Sequence, residues 1–186
     1  MTPDHGRVLP LSHPIRVELI RLRGTEAVVK AEPQQLAGIA AMLDLASLEA
    51  LEARYMLSRN GERVKLEGRI EARLHQTCIV TLEPFPVRLD VPVKLDFAPQ
   101  DDALAAARRT DSGDADIDIE VLLNEEDPPE PIVDGVIDLG SVTLEFLALS
   151  LDPYPRKPGV SFEAPATDSA ELSPFAALAK LKRDAT

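Results

Sequence analysis

An α+β fold, with a largely antiparallel meander sheet packed by two helices, follows from three features of the chain. Between residues 51 and 97 apolar side chains recur at every second position through three successive segments, the period of half-buried strands. Two other segments, 33–44 and 138–150, carry their apolar residues at helical spacing. An acidic stretch over 98–131 parts the strands from the second helix, and a proline-rich tail follows it. The expected organisation is a flexible N-terminus over 1–13, one α+β domain over 14–153 that carries the acidic loop, and a disordered tail over 154–186 with a short amphipathic end. The same plan allows the sheet to curl into a partial barrel.

Taken in order, Ile15 to Leu19 alternates apolar and polar and then slips phase at Leu19-Ile20, the mark of a strand with a bulge. A short strand is expected over Ala27–Ala31. Pro33 suits the first turn of a helix whose Leu36, Ile39, Ala40 and Leu43 share one face. Leu51, Ala53, Tyr55 and Leu57 then alternate up to Asn60-Gly61, the preferred centre of a two-residue type I′ hairpin turn. Closing the turn there predicts the pairs Leu57–Val64, Tyr55–Leu66 and Leu51–Ile70, all on one face.

The returning strand points Val64, Leu66, Ile70, Ala72, Leu74 and Cys78 inward, and Arg63, Lys65, Glu67, Arg69, Glu71, Arg73 and His75 outward. Gly68 interrupts the inner row, where another backbone passes closely or the strand bends. Beyond the corner TCIVTLEPF (77–85), Phe85 to Phe97 makes a third strand, and the equal parity of Pro86 and Pro92 assigns it to a sheet edge. The acidic connection holds a short helix at 103–109. Asp134-Gly135 turns the chain before Val136-Ile137, and Asp138 caps a helix that presents Val142, Phe146 and Leu149 on one face until Pro153 stops it. In the tail, SPFAALAKLK (173–182) has one or two amphipathic turns around Phe175, Leu178 and Leu181, too short to be stable without a partner surface.

Composition bounds the function. With 45% hydrophobic residues in 186, one sizeable core is available, and it must be aliphatic, because aromatics are 4% and Trp is absent. Few aromatic platforms argue against base stacking as a recognition mode. The first residues lack a basic stretch followed by an apolar run, and no segment has the apolar length of a membrane span, so a cytoplasmic protein with no membrane partner is expected. The net charge of −12 is uneven: residues 1–97 hold 13 basic and 13 acidic groups, residues 98–186 hold 7 and 19. A neutral body with its own basic face is therefore compatible with an acidic strap.

Cys78 is the only cysteine. A metal site built on it needs three more ligands around one point, and of the three histidines His5 and His13 lie in the N-terminus. A nucleophilic role needs a base, yet His75 is three residues away on a strand and faces the other side. There is no glycine-rich phosphate loop and no His pair at metal spacing, while a turn and a helix cap account for Asp134 and Asp138. The expectation is a non-enzymatic protein without cofactor or metal, in which Cys78 is a buried structural thiol.

The order of strand, TCIVTLEPF corner, Val/Leu strand, acidic spacer, VDGVIDLG and LALSLDPYPRKPG resembles the YceD family over roughly residues 10–160. The matching motif residues are Cys78, Thr81, Leu82, Glu83, Pro84 and Phe85 at the corner and Asp134, Gly135, Asp138 and Leu139 in the later block. Other members resemble C-x-x-C-L-E-P-F at the corner. Here Thr81 takes the second cysteine position and DPYPRKPG has no cysteine, so the turn is kept and a metal knuckle is not.

The resemblance implies a factor supporting accumulation and processing of large-subunit (23S-type) ribosomal RNA in ribosome biogenesis, through rRNA itself or the pre-ribosomal large subunit, with no DNA partner. Candidate contacts are Arg63, Lys65, Arg69 and Arg73 along the second long strand, beside His75, and Arg156 and Lys157 in the proline-held loop. Glu67 and Glu71 interleave that stripe, which also suits a solvated face held by cross-strand ion pairs. The alternative function is an adaptor whose acidic 98–131 segment, with 11 carboxylates between Ala98 and Glu130, holds a basic ribosomal protein.

Overall fold

The computed structural model describes residues 9–104 and 128–162. Its main sheet has the order β2-β3-β4-β5-β6, built from Thr25–Lys30, Ser47–Asn60, Arg63–Thr77, Pro84–Pro99 and Glu130–Ile132. All neighbours are antiparallel except β5 and β6, which run parallel over three residues. A separate two-stranded ribbon joins β1 (Pro14–Arg16) to β7 (Val136–Asp138). The main sheet does not close into a barrel, since β2 and β6 at its two ends do not pair. Helices α1 (Pro33–Met42) and α2 (Leu139–Leu149) complete the α+β plan, and the chain turns helical again at residues 100–104 after β5.

The alternating rows are buried as their period requires. Leu51, Ala53, Tyr55 and Leu57 of β3 and Val64, Leu66, Ile70, Ala72 and Leu74 of β4 join Ile39 of α1 and Leu139, Val142, Leu144 and Leu147 of α2 in one core. Within α2 the face differs from the expected one. Val142 is buried, Phe146 is half-buried, and Leu149 is 75% exposed, because the core-facing positions run through Leu139, Thr143 and Leu147 instead. Thr143 serves there because its hydroxyl bonds both the Leu139 carbonyl and the Tyr55 phenol, leaving neither hydroxyl unmatched in the core.

The β3–β4 register is offset from the expected one by two residues. Leu57 faces Leu66, Tyr55 faces Gly68 and Leu51 faces Ala72, with Gly61-Glu62 as the two-residue loop between the paired Asn60 and Arg63. Gly61 carries the positive φ, +63°. A two-residue shift keeps every side chain on its face, so apolar phase alone cannot detect it. What selects the observed register is size: a Cβ at Gly68 would lie 2.3 Å from the Arg54 carbonyl oxygen and 2.5 Å from the Tyr55 ring. The glycine is where the Tyr55 ring needs room.

Three further expectations are corrected at the chain's edges. The phase slip after β1 is a 3-10 turn over Val17–Leu19, not a bulge, and it delivers Ile20 into the core. Residues 9–13 of the expected flexible arm are held: Leu11 is buried, and Ser12 and His13 bond the Asp138 carboxylate at 2.7 Å each. The acidic connection is shorter at both ends than 98–131, because Ala98 and Pro99 finish β5, the helical turn starts at residue 100 with Ala103 buried, and Glu130–Ile132 is β6. The rest of that connection, and the whole of the expected amphipathic segment 173–182, lie outside the described residues.

Candidate nucleic-acid interface

With one face of the sheet buried, the polar rows of β3, β4 and β5 stand together on the other. Strand β4 presents Arg63, Lys65, Glu67, Arg69, Glu71 and Arg73, all exposed. The register sets their neighbours. Arg54 lies opposite Arg69, Arg73 opposite Arg88, Glu52 opposite Glu71, and Glu71 opposite Asp90. The expected register would have set Arg54 against Glu67 and Glu52 against Arg69, opposite charges in both cases. The two-residue shift turns these into like-charged neighbours, an arrangement that disfavours the free sheet.

Part of that repulsion is relieved along and across strands: Arg54 reaches Glu52 at 2.8 Å, Arg69 reaches Asp90 at 2.6 Å, and Lys65 reaches Glu67 at 3.2 Å. These are solvent-exposed pairs, each contributing at most about 1 kcal/mol. Among the described residues, Arg73 and Arg88 have no carboxylate within 4.0 Å, nor have Arg63 and Arg156. His75, next on β4, is turned aside to Ser47 (3.0 Å) and Glu49 (3.5 Å). Among the described residues, Arg73–Arg88 is thus the cross-strand arginine pair of which neither member is held by a carboxylate, and it lies four residues from the end of the β4–β5 hairpin at Thr77–Pro84.

That end is the TCIVTLEPF corner, and its geometry centres on Cys78. The Cys78 N–H donates to the Glu83 carbonyl at 2.9 Å, its own carbonyl accepts from Leu82 N–H at 2.8 Å, and Leu82 takes a left-handed φ of +59° to close the loop. Ile79 N–H then donates to the Pro155 carbonyl, and Lys157 N–H points at the Cys78 sulfur at 3.4 Å. Cys78 has no accessible surface, although it lies outside the contiguous core, closed over by the turn and this loop. Hydrogen bonds from Lys157 N–H first, then from the Thr81 hydroxyl and N–H, outweigh the effect of burial and pull the thiol down to about 6. The cysteine is a sulfur acceptor that ties the corner to the 155–157 loop. Among the described residues no three His, Cys, Asp or Glu side chains converge on a possible metal position.

The tie also fixes the two loop cations. Lys157 Nζ is drawn to Glu83 at 3.1 Å, while Arg156 beside it is exposed. The residues singled out in the sequence thus fall into two places: a stripe along β4, about 33 Å from Arg63 to Arg73 at roughly 3.3 Å per residue, and the corner loop. The stripe was legible from period two. Its widening by Arg54 and Arg88 was not, because Arg54 depends on the β3–β4 register that the Tyr55–Gly68 fit selects and Arg88 on the β4–β5 register.

The later motif block has its own geometry. Asp134 and Gly135 both adopt positive φ, +52° and +69°, between the bridged Val133 and Val136, as a type I′ turn demands. Asp138 caps α2 through Gly140 and Ser141 N–H and simultaneously receives Ser12 and His13. Partial burial pushes its carboxyl upward, but these four hydrogen bonds prevail and hold it below the usual carboxylate range. Leu139 is fully buried, and a Cβ at Gly140 would meet the Ser12 Cα at 2.7 Å, so the arm crosses α2 directly over that glycine.

An open sheet with one buried face and one charged face, clamped at a cysteine-anchored corner, defines an α+β protein that presents a polar surface. No helix among the described residues is long and apolar enough to cross a membrane. The chain belongs to the YceD family: the family model described as large ribosomal RNA subunit accumulation protein YceD matches residues 66–182, from within β4 to four residues before the last. Membership connects it with the accumulation of large-subunit ribosomal RNA. No curated protein and no solved structure matches the chain.

Proposed function

We propose that the chain supports accumulation of large-subunit rRNA without catalysing a reaction, by holding rRNA phosphates against the outer sheet face around Arg73 and Arg88, with Arg54, Arg69 and Arg156 extending the surface. The observation that carries this reading is the pair of arginine–arginine neighbours across β3–β4 and β4–β5. Like charges placed opposite one another weaken a sheet by a few tenths of a kcal/mol to about 1 kcal/mol, and a bound polyanion reverses the sign of that effect. Guanidinium groups suit phosphate because they donate in a planar fork. The adaptor alternative draws on the acidic segment, most of which lies outside the described residues.

Affinity for a large-subunit rRNA fragment, measured across a salt series, tests it. Binding should weaken linearly on a double logarithmic plot, and Arg73→Gln/Arg88→Gln should reduce the magnitude of the slope by about 2, roughly one unit for each arginine–phosphate pair removed. Binding that is flat in salt, or a slope that the double substitution leaves unchanged, rejects the interface.

A further inference from the structure

We propose that the groove between α2 and the β5–β6 end of the sheet is the docking site of the chain's own C-terminal segment, residues 173–183. The groove encloses about 460 Å³ and is walled by Leu95 and Phe97 of β5, Val133 after β6, and Val142, Phe146 and Leu149 of α2. This volume is in the range of pockets that bury a substantial ligand. Its apolar lining is incompletely covered: Val133 is 52% and Leu149 75% exposed. Glu130 and Glu145 border it, so the opening is apolar in the middle and acidic at the rim.

The segment SPFAALAKLKR has the complementary pattern. Phe175, Leu178 and Leu181 recur at three-residue spacing, which gathers them on one face of a helix, and Lys180, Lys182 and Arg183 follow among and after them. Ser173 and Pro174 are the residue types that open a helix. Such a segment is too short to hold a helix alone and needs a surface to bury its apolar side. Its place in the chain allows the docking. Residues 163–174 can extend to about 40 Å, and the groove runs along α2, an 11-residue helix about 16 Å long. The groove's Leu149 end is three residues from Asp152, whose carbonyl is bonded to Gln76 at the corner where the tail departs. The family match also reaches residue 182 and so includes nearly all of this segment.

The absence of tryptophan supplies a direct probe. In the full chain carrying Phe175→Trp, docking predicts blue-shifted emission that is independent of protein concentration. Leu149→Asp, at a position exposed enough to leave the fold intact, should return the emission to that of a solvent-exposed indole, and Glu145→Lys should do so in part, both with cooperative unfolding of the domain retained and a far-UV helical signal reduced by no more than one short helix. Solvent-exposed emission in the Phe175→Trp chain overturns the proposal. So does a blue shift that neither groove substitution alters, or one that grows with concentration, which would place a second copy in the groove.

Discussion

At Cys78 one sulfur joins two distant segments: the Lys157 N–H points at it from 3.4 Å, and Thr81 within the turn adds to the stabilisation of its thiolate. The sulfur then fastens the corner to the loop that carries Arg156 and Lys157. Because those donors stabilise the thiolate, the folded thiol titrates near 6, below the roughly 8.5 of an unperturbed cysteine. The unfolded chain therefore binds more protons between these values, and stability rises with pH across that window. The contribution is complete above about 8.5 and is lost as pH falls through about 6. Thermal unfolding of the native chain and of Cys78→Ala should differ most near pH ~9 and converge below pH ~6. A difference that stays constant from about pH 5 to about pH 9 would mean that the sulfur is only a packing group. The sequence pointed to a buried cysteine without partners; it could not show the Lys157 N–H, which is 79 positions away.

Among the elements, α2 is held at its start by one carboxylate with two tasks. Asp138 caps the helix and clamps the N-terminal arm, and the arm lies over Gly140 with no room for a side chain. Replacing it with alanine removes the cap, worth about 1 kcal/mol and up to about 2, and frees the arm as well. The expected result for Asp138→Ala is a loss of about 2 kcal/mol in urea unfolding, with earlier amide exchange at Leu11 and His13. A loss below about 0.5 kcal/mol, with exchange unchanged, would show that the arm is held by other interactions. The cap was readable in the sequence as Asp before an apolar helical period. The arm was not, since Ser12 and His13 resemble any polar leader until β1 pairs with β7. Strand positions were legible for a similar reason, as period two reports faces, whereas the β3–β4 register depends on one tyrosine filling the space over one glycine.

Over the whole molecule, the net charge of −12 conceals a sheet face where arginines stand next to arginines. Fold class, core rows, motif corner and family were all readable from residue pattern, because burial imposes periodicity and the corner imposes its residue types. The interface was only partly so. Arg63, Lys65, Arg69 and Arg73 share a strand and hence a parity, but Arg54 and Arg88 join them through pairing between strands, which leaves no trace in local sequence. The β4–β5 register opposes Arg73 with Arg88, and under the proposed function a bound polyanion offsets the repulsion that this pairing creates.

Measuring stability and rRNA affinity on the same Arg73→Gln/Arg88→Gln protein addresses that contrast most directly. Unfolding stability should be unchanged or higher by up to about 1 kcal/mol, since a like-charged cross-strand pair is gone, while affinity for the rRNA fragment falls by an order of magnitude or more. A protein that loses stability yet binds RNA as tightly as before would contradict the assignment of this face.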